Sequence, residues 1–491
     1  MKLSVALTTL AVAAAVASSA AADGGYYSGA LGARAAGRSG AFAARADDPT
    51  AAHYNPAGLA DVRGTMVMVG DRFSYNAYAF TRAPTDDWGH PNPDGSAPRV
   101  TFDEVRNGTP WQGLEPIVAV ASNLGLSDWG FALCAFAAPG ASKFNFPKTG
   151  GQNYMMLSRE AIILDYTASA AWKFHDMFGV GATAEWITVP RLKYSLMVDA
   201  SPFAMADNPV SSDLDMVATT DGSDWFTFNA ILGAWFRPTP SLQFAVAGQV
   251  VPTSIDTRSR VSIEPVNITN AGSVALSRDD VPANDVNVIL PLPMMARVGV
   301  RYRGLSGARE IFDVELDVEY ETWSRVNEFT LETRNLRAMF NGGDALLGTI
   351  RIAKHWKDTV AFKLGGDVSV IPDRLVLRGG AFYETATADP AYANVDFPGG
   401  PMFGGSIGSS LKHGQWELAL AYQVRHQATV SIDESRAGVY QQVPGGACQP
   451  PYSDTNACDP HLMGRPSPVV NAGTYDATSH YLVLALVYRF L

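Results

Sequence analysis

From about residue 64 to the C-terminus the dominant pattern is strict alternation of apolar and polar positions. Leu482, Leu484, Leu486, Tyr488 and Phe490 share one side of the last segment, and Trp416, Leu418, Leu420, Tyr422 and Val424 share one side of the segment before it. Val360, Phe362, Leu364, Val368 and Val370 repeat the arrangement, as do Phe312, Val314, Leu316, Val318 and Tyr320. A period of two marks strands, because successive side chains of an extended chain point to opposite faces. The runs join in pairs through short polar turns at 124–127, 174–177, 237–240, 303–307, 372–373 and 412–415. Long connections rich in Gly, Pro, Asp and Asn separate the pairs, near 83–114, 139–156, 200–223, 257–292, 332–358, 386–400 and 433–477. Six short turns alternating with seven long loops predict about fourteen strands, with both termini on the short-turn side.

The sidedness of the strands then decides their surroundings. A soluble sandwich buries its apolar face and exposes its polar one. Here the charges sit on one face of each strand and large apolar groups run almost unbroken along the other. Segment 309–323 sets Asp313, Glu315, Asp317, Glu319 and Glu321 against Phe312 to Tyr320, and the preceding strand carries Arg297, Arg301 and Arg303. Across an antiparallel pair those rows become neighbours, so a self-paired charge belt is expected inside a lumen, with the apolar rows facing lipid. The fold class is therefore all-β, a closed transmembrane antiparallel barrel. Closure leaves no unpaired strand edge in lipid.

Residues 23–63 lack the alternation. They are rich in Ala and Gly, carry Arg34, Arg38 and Arg45, and end in Asn55-Pro56-Ala57-Gly58-Leu59, where Asn55 is placed to cap a short helix opened by Pro56. About forty residues with so few large apolar groups do not make a free-standing domain. Inside the lumen they make a plug. Upstream, Lys2, the apolar run Leu3 to Val16 and Ala20-Ala21-Ala22 read as a cleaved signal peptide. The expected division is signal peptide 1–22, plug 23–63 and barrel 64–491.

Composition supports this and narrows the chemistry. The chain is 47% hydrophobic, with 45 Gly, 10 Trp, 18 Tyr and 23 Phe, yet after Ala22 no stretch has the roughly 18 consecutive apolar residues of a membrane helix. A net charge of −11 disfavours nucleic acid. Cys448 and Cys458 lie in one polar loop segment of an exported chain, where a disulfide is expected, and Cys134 stands alone in an apolar run. No catalytic constellation, cofactor site or metal site is expected: the eight His fall mostly in turns and loops, in no motif of hydrolases or zinc enzymes.

Gly32-Ala33-Arg34, Ala44-Arg45-Ala46-Asp47-Asp48-Pro49 and Tyr54-Asn55-Pro56-Ala57-Gly58-Leu59, followed by Ala121-Ser122-Asn123, Trp129-Gly130-Phe131, Tyr320-Glu321-Thr322-Trp323-Ser324 and Tyr488-Arg489-Phe490, resemble the FadL-type transporters of long-chain fatty acids and aromatic hydrocarbons (the OmpP1/FadL/TodX family). Leu491 after Phe490 departs from the usual terminal Phe of such barrels. The resemblance implies passive movement of a small hydrophobic molecule through a plugged barrel of the bacterial outer membrane. Asn55, Pro56 and Ala57 would form the gate, and the exit would be lateral, beside a kinked third strand that Pro139-Gly140 helps to break. Partly apolar inward rows favour hydrophobic ligands, and Phe42, Phe136, Met295 and Phe382 are candidate pocket residues. Expected partners are the hydrophobic molecule, outer-membrane lipid and lipopolysaccharide, with the chain a monomer. The alternatives are a structural or adhesive barrel with a closed lumen and, more distantly, a barrel enzyme.

Overall fold

The computed structural model describes residues 30–87, 92–113, 115–138, 143–199, 215–266, 274–340, 343–347, 349–441 and 468–490. The expected signal peptide, Pro139-Gly140, Cys448, Cys458 and Leu491 lie outside these residues. Fourteen strands form the wall. They are β1 Thr65–Arg82, β2 Ile117–Ser122, β3 Trp129–Ala137, β4 Met156–Phe174, β5 Phe178–Asp199, β6 Asp215–Thr239, β7 Leu242–Gln249, β8 Met295–Ser306, β9 Arg309–Glu321, β10 Thr359–Ile371, β11 Leu375–Glu384, β12 Met402–His413, β13 Trp416–Ile432 and β14 Gly473–Phe490. Each pairs antiparallel with its sequence neighbour, and β14 pairs with β1 along its full length, Thr65 opposite Phe490 and Arg82 opposite Gly473. The sheet is closed.

The alternation read from the sequence is the lipid–lumen alternation of the wall. Leu482, Leu486, Leu418, Leu420, Phe362, Leu364, Val314 and Leu316 are exposed on the outside, whereas Tyr481, Val483, Ala485 and Val487 are buried inside. Aromatic groups mark both ends of the outer apolar band. Trp129, Trp172, Tyr302 and Trp416 lie near the short turns, and Tyr166, Trp186, Trp225 and Tyr422 lie further up the wall. Amphipathic rings collect at the two membrane–water boundaries in this way.

Two features depart from an even wall. Beyond β7 to β10 the chain breaks and resumes as short strands, Ser254–Pro265, Asp285–Pro291, Glu328–Glu332 and Ile350–Ala353, which pair with β6 or with one another above the main barrel. Parts of the expected loops 257–292 and 332–358 are therefore sheet. Secondly, β2 and β3 are short, and β2 meets β1 only over 65–70. Higher up, β1 is met by two-residue pieces, Trp111–Gln112 and Val105–Arg106.

Candidate functional site

Residues 30–62 lie inside the barrel, almost wholly buried. They contain two single-turn helices, α1 Ala33–Ala36 and α2 Ala51–Tyr54, and a 3₁₀ turn Pro56–Asp61. Ala and Gly dominate here because the segment must approach the wall backbone to backbone. Gly365 and Gly380 face Arg38, Gly181 faces Pro56 and Ala57, Gly233 faces Asn55, and Gly130 faces Leu59. A methyl group at Gly181 would come within 2.5 Å of the Ala57 nitrogen.

The charge belt grips this segment. The Arg38 guanidinium donates to Asp313 (2.9 Å), Asp367 (2.8 Å), Glu315 (2.9 Å) and the Ala41 carbonyl (2.8 Å). In turn, Asp317 accepts the backbone N–H groups of Phe42 and Ala43, both at 2.8 Å, and Glu315 accepts that of Ala44 at 2.6 Å. Arg297 pairs with Glu319, directly across the register, and Arg301 with Asp313 (2.6 Å) on the diagonal, Glu315 being the residue opposite it. Arg303 stands apart, its guanidinium on the Pro240 carbonyl. The acidic row of β9 thus has two kinds of partner, the basic side chains of its neighbouring strands (the arginines of β8, and Lys363 of β10 on Glu319) and the plug itself. Register made the first legible in the sequence. The second joins residues some 270 positions apart, which no local pattern signals.

Asn55 lies 1% exposed where the plug meets β6. Its Oδ1 accepts from Ala57 N (3.1 Å), the cap expected from the sequence, and its Nδ2 donates to the Ala43 carbonyl (2.9 Å) and the Ala234 carbonyl of the wall (3.2 Å). Trp235 Nε1 donates to the Ala57 carbonyl at 2.9 Å. The motif therefore rests on β5 and β6, and contact with β3 comes two residues later, from Leu59.

Above the plug lies a cavity of about 40 Å³, room for a few waters, bounded by His53, Tyr54, Met295, Arg297, Lys363 and Phe382 among others. Met295 and Phe382 line it together; Phe42 and Phe136 do not. Phe42 is sealed within the plug against Tyr54, ring centres 5.4 Å apart, and Phe136 packs edge-on against His53 at 5.9 Å. His53 Nε2 lies 3.3 Å from the Arg297 guanidinium. Arginine can only donate, so that nitrogen accepts. Burial, with Arg297 adding to it, pushes the imidazole pKa down to about 3, so His53 is neutral at physiological pH.

Towards the long-loop end lies a second cavity, about 60 Å³, with an almost entirely apolar lining: Leu192, Leu196, Leu290, Phe329, Ile352 and Phe397. Arg159 lies at its edge, its guanidinium over the rings of Phe144 (4.7 Å) and Phe397 (4.2 Å). Lys354 is close by, over the Phe329 ring at 4.7 Å and paired with Asp396. Composition gave no sign of this chamber, because its walls come from β5, the resumed strands and the 397 loop.

A family model of outer membrane protein transport proteins (OMPP1/FadL/TodX) matches residues 13–449. The chain belongs to this family. Its place in the bacterial outer membrane follows from that membership and from the barrel. A search among curated proteins gave no match. Among solved structures, that of a Pseudomonas aeruginosa FadL homologue superposes with a TM-score of 0.70 at 14% identity, over 95% of this chain and 100% of that one. The Ralstonia pickettii toluene transporter TbuX gives 0.60 at 15% identity (94% and 99%), and the Pseudomonas putida toluene transporter TodX 0.63 at 11% (95% and 99%). At such identities the likeness extends to the fold. Within this FadL-type barrel, Cys134 of β3 is a free buried thiol that donates to the Pro49 carbonyl of the plug at 3.3 Å. Among the described residues no group of three or more His, Cys, Asp or Glu is arranged to hold a metal ion.

Proposed function

We propose that the chain carries small hydrophobic molecules passively across the outer membrane, through the lumen and past the plug. The observation that supports this best is the apolar chamber at the long-loop end. Towards the long-loop end of the lumen a cavity is walled by Leu, Ile and Phe side chains, and such a surface gains about 25 cal/mol per Å² of apolar contact it buries. Arg159 at its edge favours molecules with an apolar body and an anionic head, such as long-chain fatty acids, over plain hydrocarbons, because Arg binds carboxylates by charge-assisted bonds. The chamber is smaller than any such ligand, so entry requires Phe397 or its neighbours to move aside. The exit fits the stretch of wall where β2 and β3 are short, which also borders the plug. The Asn55-Pro56-Ala57 element acts as gate, because it ties the plug to the wall through one amide and one indole.

The test is uptake of a radiolabelled long-chain fatty acid and of labelled toluene by cells expressing the protein. Leu290→Glu puts a charge in the chamber and is expected to cut fatty acid uptake at least tenfold with unchanged surface expression. Uptake equal to that of wild type would remove the chamber from the path, and wild-type uptake no higher than that of cells lacking the protein would favour the alternative, a structural barrel with a closed lumen. Asn55→Ala, which removes the cap and the wall bond together, is expected to change uptake in the same assay. Normal uptake would leave the motif a turn without a gating role.

A further inference from the structure

Below the plug, at the short-turn end, lies a cavity of about 900 Å³, far larger than either cavity above it. This is the end that such barrels turn to the periplasm. Arg34, Arg45 and Asp61 of the plug form its roof, and the ends of β1, β4, β6, β8, β12 and β14 its sides. Nine arginines and lysines line it against four aspartates and glutamates. The chain as a whole carries −11, so this positive surplus is local and opposite in sign.

Six of the nine cations are ion-paired, chiefly to Asp47, Asp61, Glu310 and Glu417. Among the described residues Arg63, Arg303 and Lys412 have no carboxylate partner. The Arg63 guanidinium donates to the Ala60 carbonyl (3.2 Å) and that of Arg303 to the Pro240 carbonyl, which leaves both charges unanswered. Donors are left over as well, since Nε of Arg34, Arg45 and Arg303 is buried with no hydrogen-bond partner. A concave, low-dielectric wall focuses the field of such a set and draws in anions. Carboxylates entering here would meet three cations without breaking an existing pair.

The spread of those cations selects the ligand. Arg63 stands at the foot of β1 and Arg303 on β8, seven strands on in a closed wall of fourteen, so they face each other across the mouth. Fourteen strands about 4.8 Å apart and tilted by about 40° enclose a barrel roughly 28 Å across. A single phosphate cannot touch both sides, and it would leave most of the cavity to water. We propose that this vestibule docks an acidic peptide segment of a periplasmic protein, an extended run of Asp and Glu that spans the mouth. Arg recognises each carboxylate by charge-assisted, often two-pronged bonds. The site also reaches the plug. Asp61 ends the turn that Pro56 begins, and the wall holds it through Arg237 (2.6 Å) and Lys173 (3.3 Å). Docked carboxylates compete with Asp61 for those two side chains, so the partner acts on the foot of the Asn55-Pro56-Ala57 element.

The test is binding of a fluorescein-labelled polyglutamate peptide to the full-length protein in neutral detergent, read by fluorescence anisotropy at low ionic strength, and it needs no transport. One saturable site per chain is expected, with affinity falling at least tenfold at high salt. Polylysine should not bind, and inorganic phosphate at the same charge concentration should not displace the peptide. Combining Arg63→Gln, Arg303→Gln and Lys412→Gln should weaken binding at least tenfold, whereas Arg106→Gln, exposed at the long-loop end, should bind as wild type does. Heat-modifiable migration on gels reports that each barrel is folded. If the triple variant fails to fold, Arg303→Gln alone carries the test, with affinity expected to fall several-fold. Absence of a saturable site in wild type overturns the proposal, and so does unchanged affinity in the folded variant. Displacement by phosphate also overturns it, because it would mark a site for small anions instead.

Discussion

Arg38 shows how one side chain fixes the plug. It is fully buried and its three carboxylate partners come from β9 and β10. Breaking a buried ion pair from one side costs about 3–5 kcal/mol, mostly because the abandoned charges stay buried. Arg38→Ala is therefore expected to loosen the plug while the closed wall survives. The readouts are faster proteolysis within residues 30–62 and a higher single-channel conductance in planar bilayers, and unchanged values for both would remove Arg38 from the clamp. Trp235→Phe is a milder probe. It deletes the indole bond to Ala57 and should lower stability by about 1 kcal/mol in denaturant titrations. What the sequence disclosed at this scale follows from locality. Asn55 was legible as a cap because its acceptor serves a residue two positions on. Arg297 and Arg301 were legible because strand register pairs them with the next strand. Arg38 was not, since its environment depends on strands and plug meeting after closure.

At the scale of elements, alternation carried the reading wherever one face meets lipid and the other the lumen. Above the main barrel the outer face of a strand no longer needs an unbroken apolar row, the contrast between faces changes, and Ser254–Pro265 or Asp285–Pro291 reads as loop. The short β2 and β3 lie close to where the turn 124–127 and the loops 83–114 and 139–156 place them, at Ile117–Ser122 and Trp129–Ala137. The plug is made of Ala and Gly for a reason visible only in its seat, where wall glycines accept its backbone. Gly233→Val tests that fit. Its side chain would occupy the place of the Asn55 amide, so the plug should be displaced while heat-modifiable migration is kept, with uptake at least tenfold from the wild-type value in either direction. Uptake within twofold of wild type would show that the seat tolerates the shift. In the final long loop, Cys448 and Cys458 remain a proposed disulfide, which closes a loop of about ten residues and restricts the unfolded chain. Mass spectrometry of non-reduced peptides should find them joined, and two free thiols in exported protein would refute the pairing.

For the whole molecule, the charged belt, the glycine seat and the motif at β5 and β6 all hold the plug in one position, and the two cavities described on its outer side measure about 40 and 60 Å³. Neither of these cavities holds a fatty acid as it stands. The account therefore stands on movement of the plug relative to the wall. Ser39 of the plug and Ser406 of β12 offer a lock, since their hydroxyl oxygens are 2.8 Å apart. That proximity suits a disulfide between the paired variants Ser39→Cys and Ser406→Cys. The most direct measurement is uptake of a radiolabelled long-chain fatty acid by cells carrying both substitutions, before and after a membrane-permeant reductant. The expected result is uptake near background while the pair is oxidised and recovery on reduction, with wild type indifferent to the reductant. Full uptake through the oxidised, fully cross-linked protein would contradict the account.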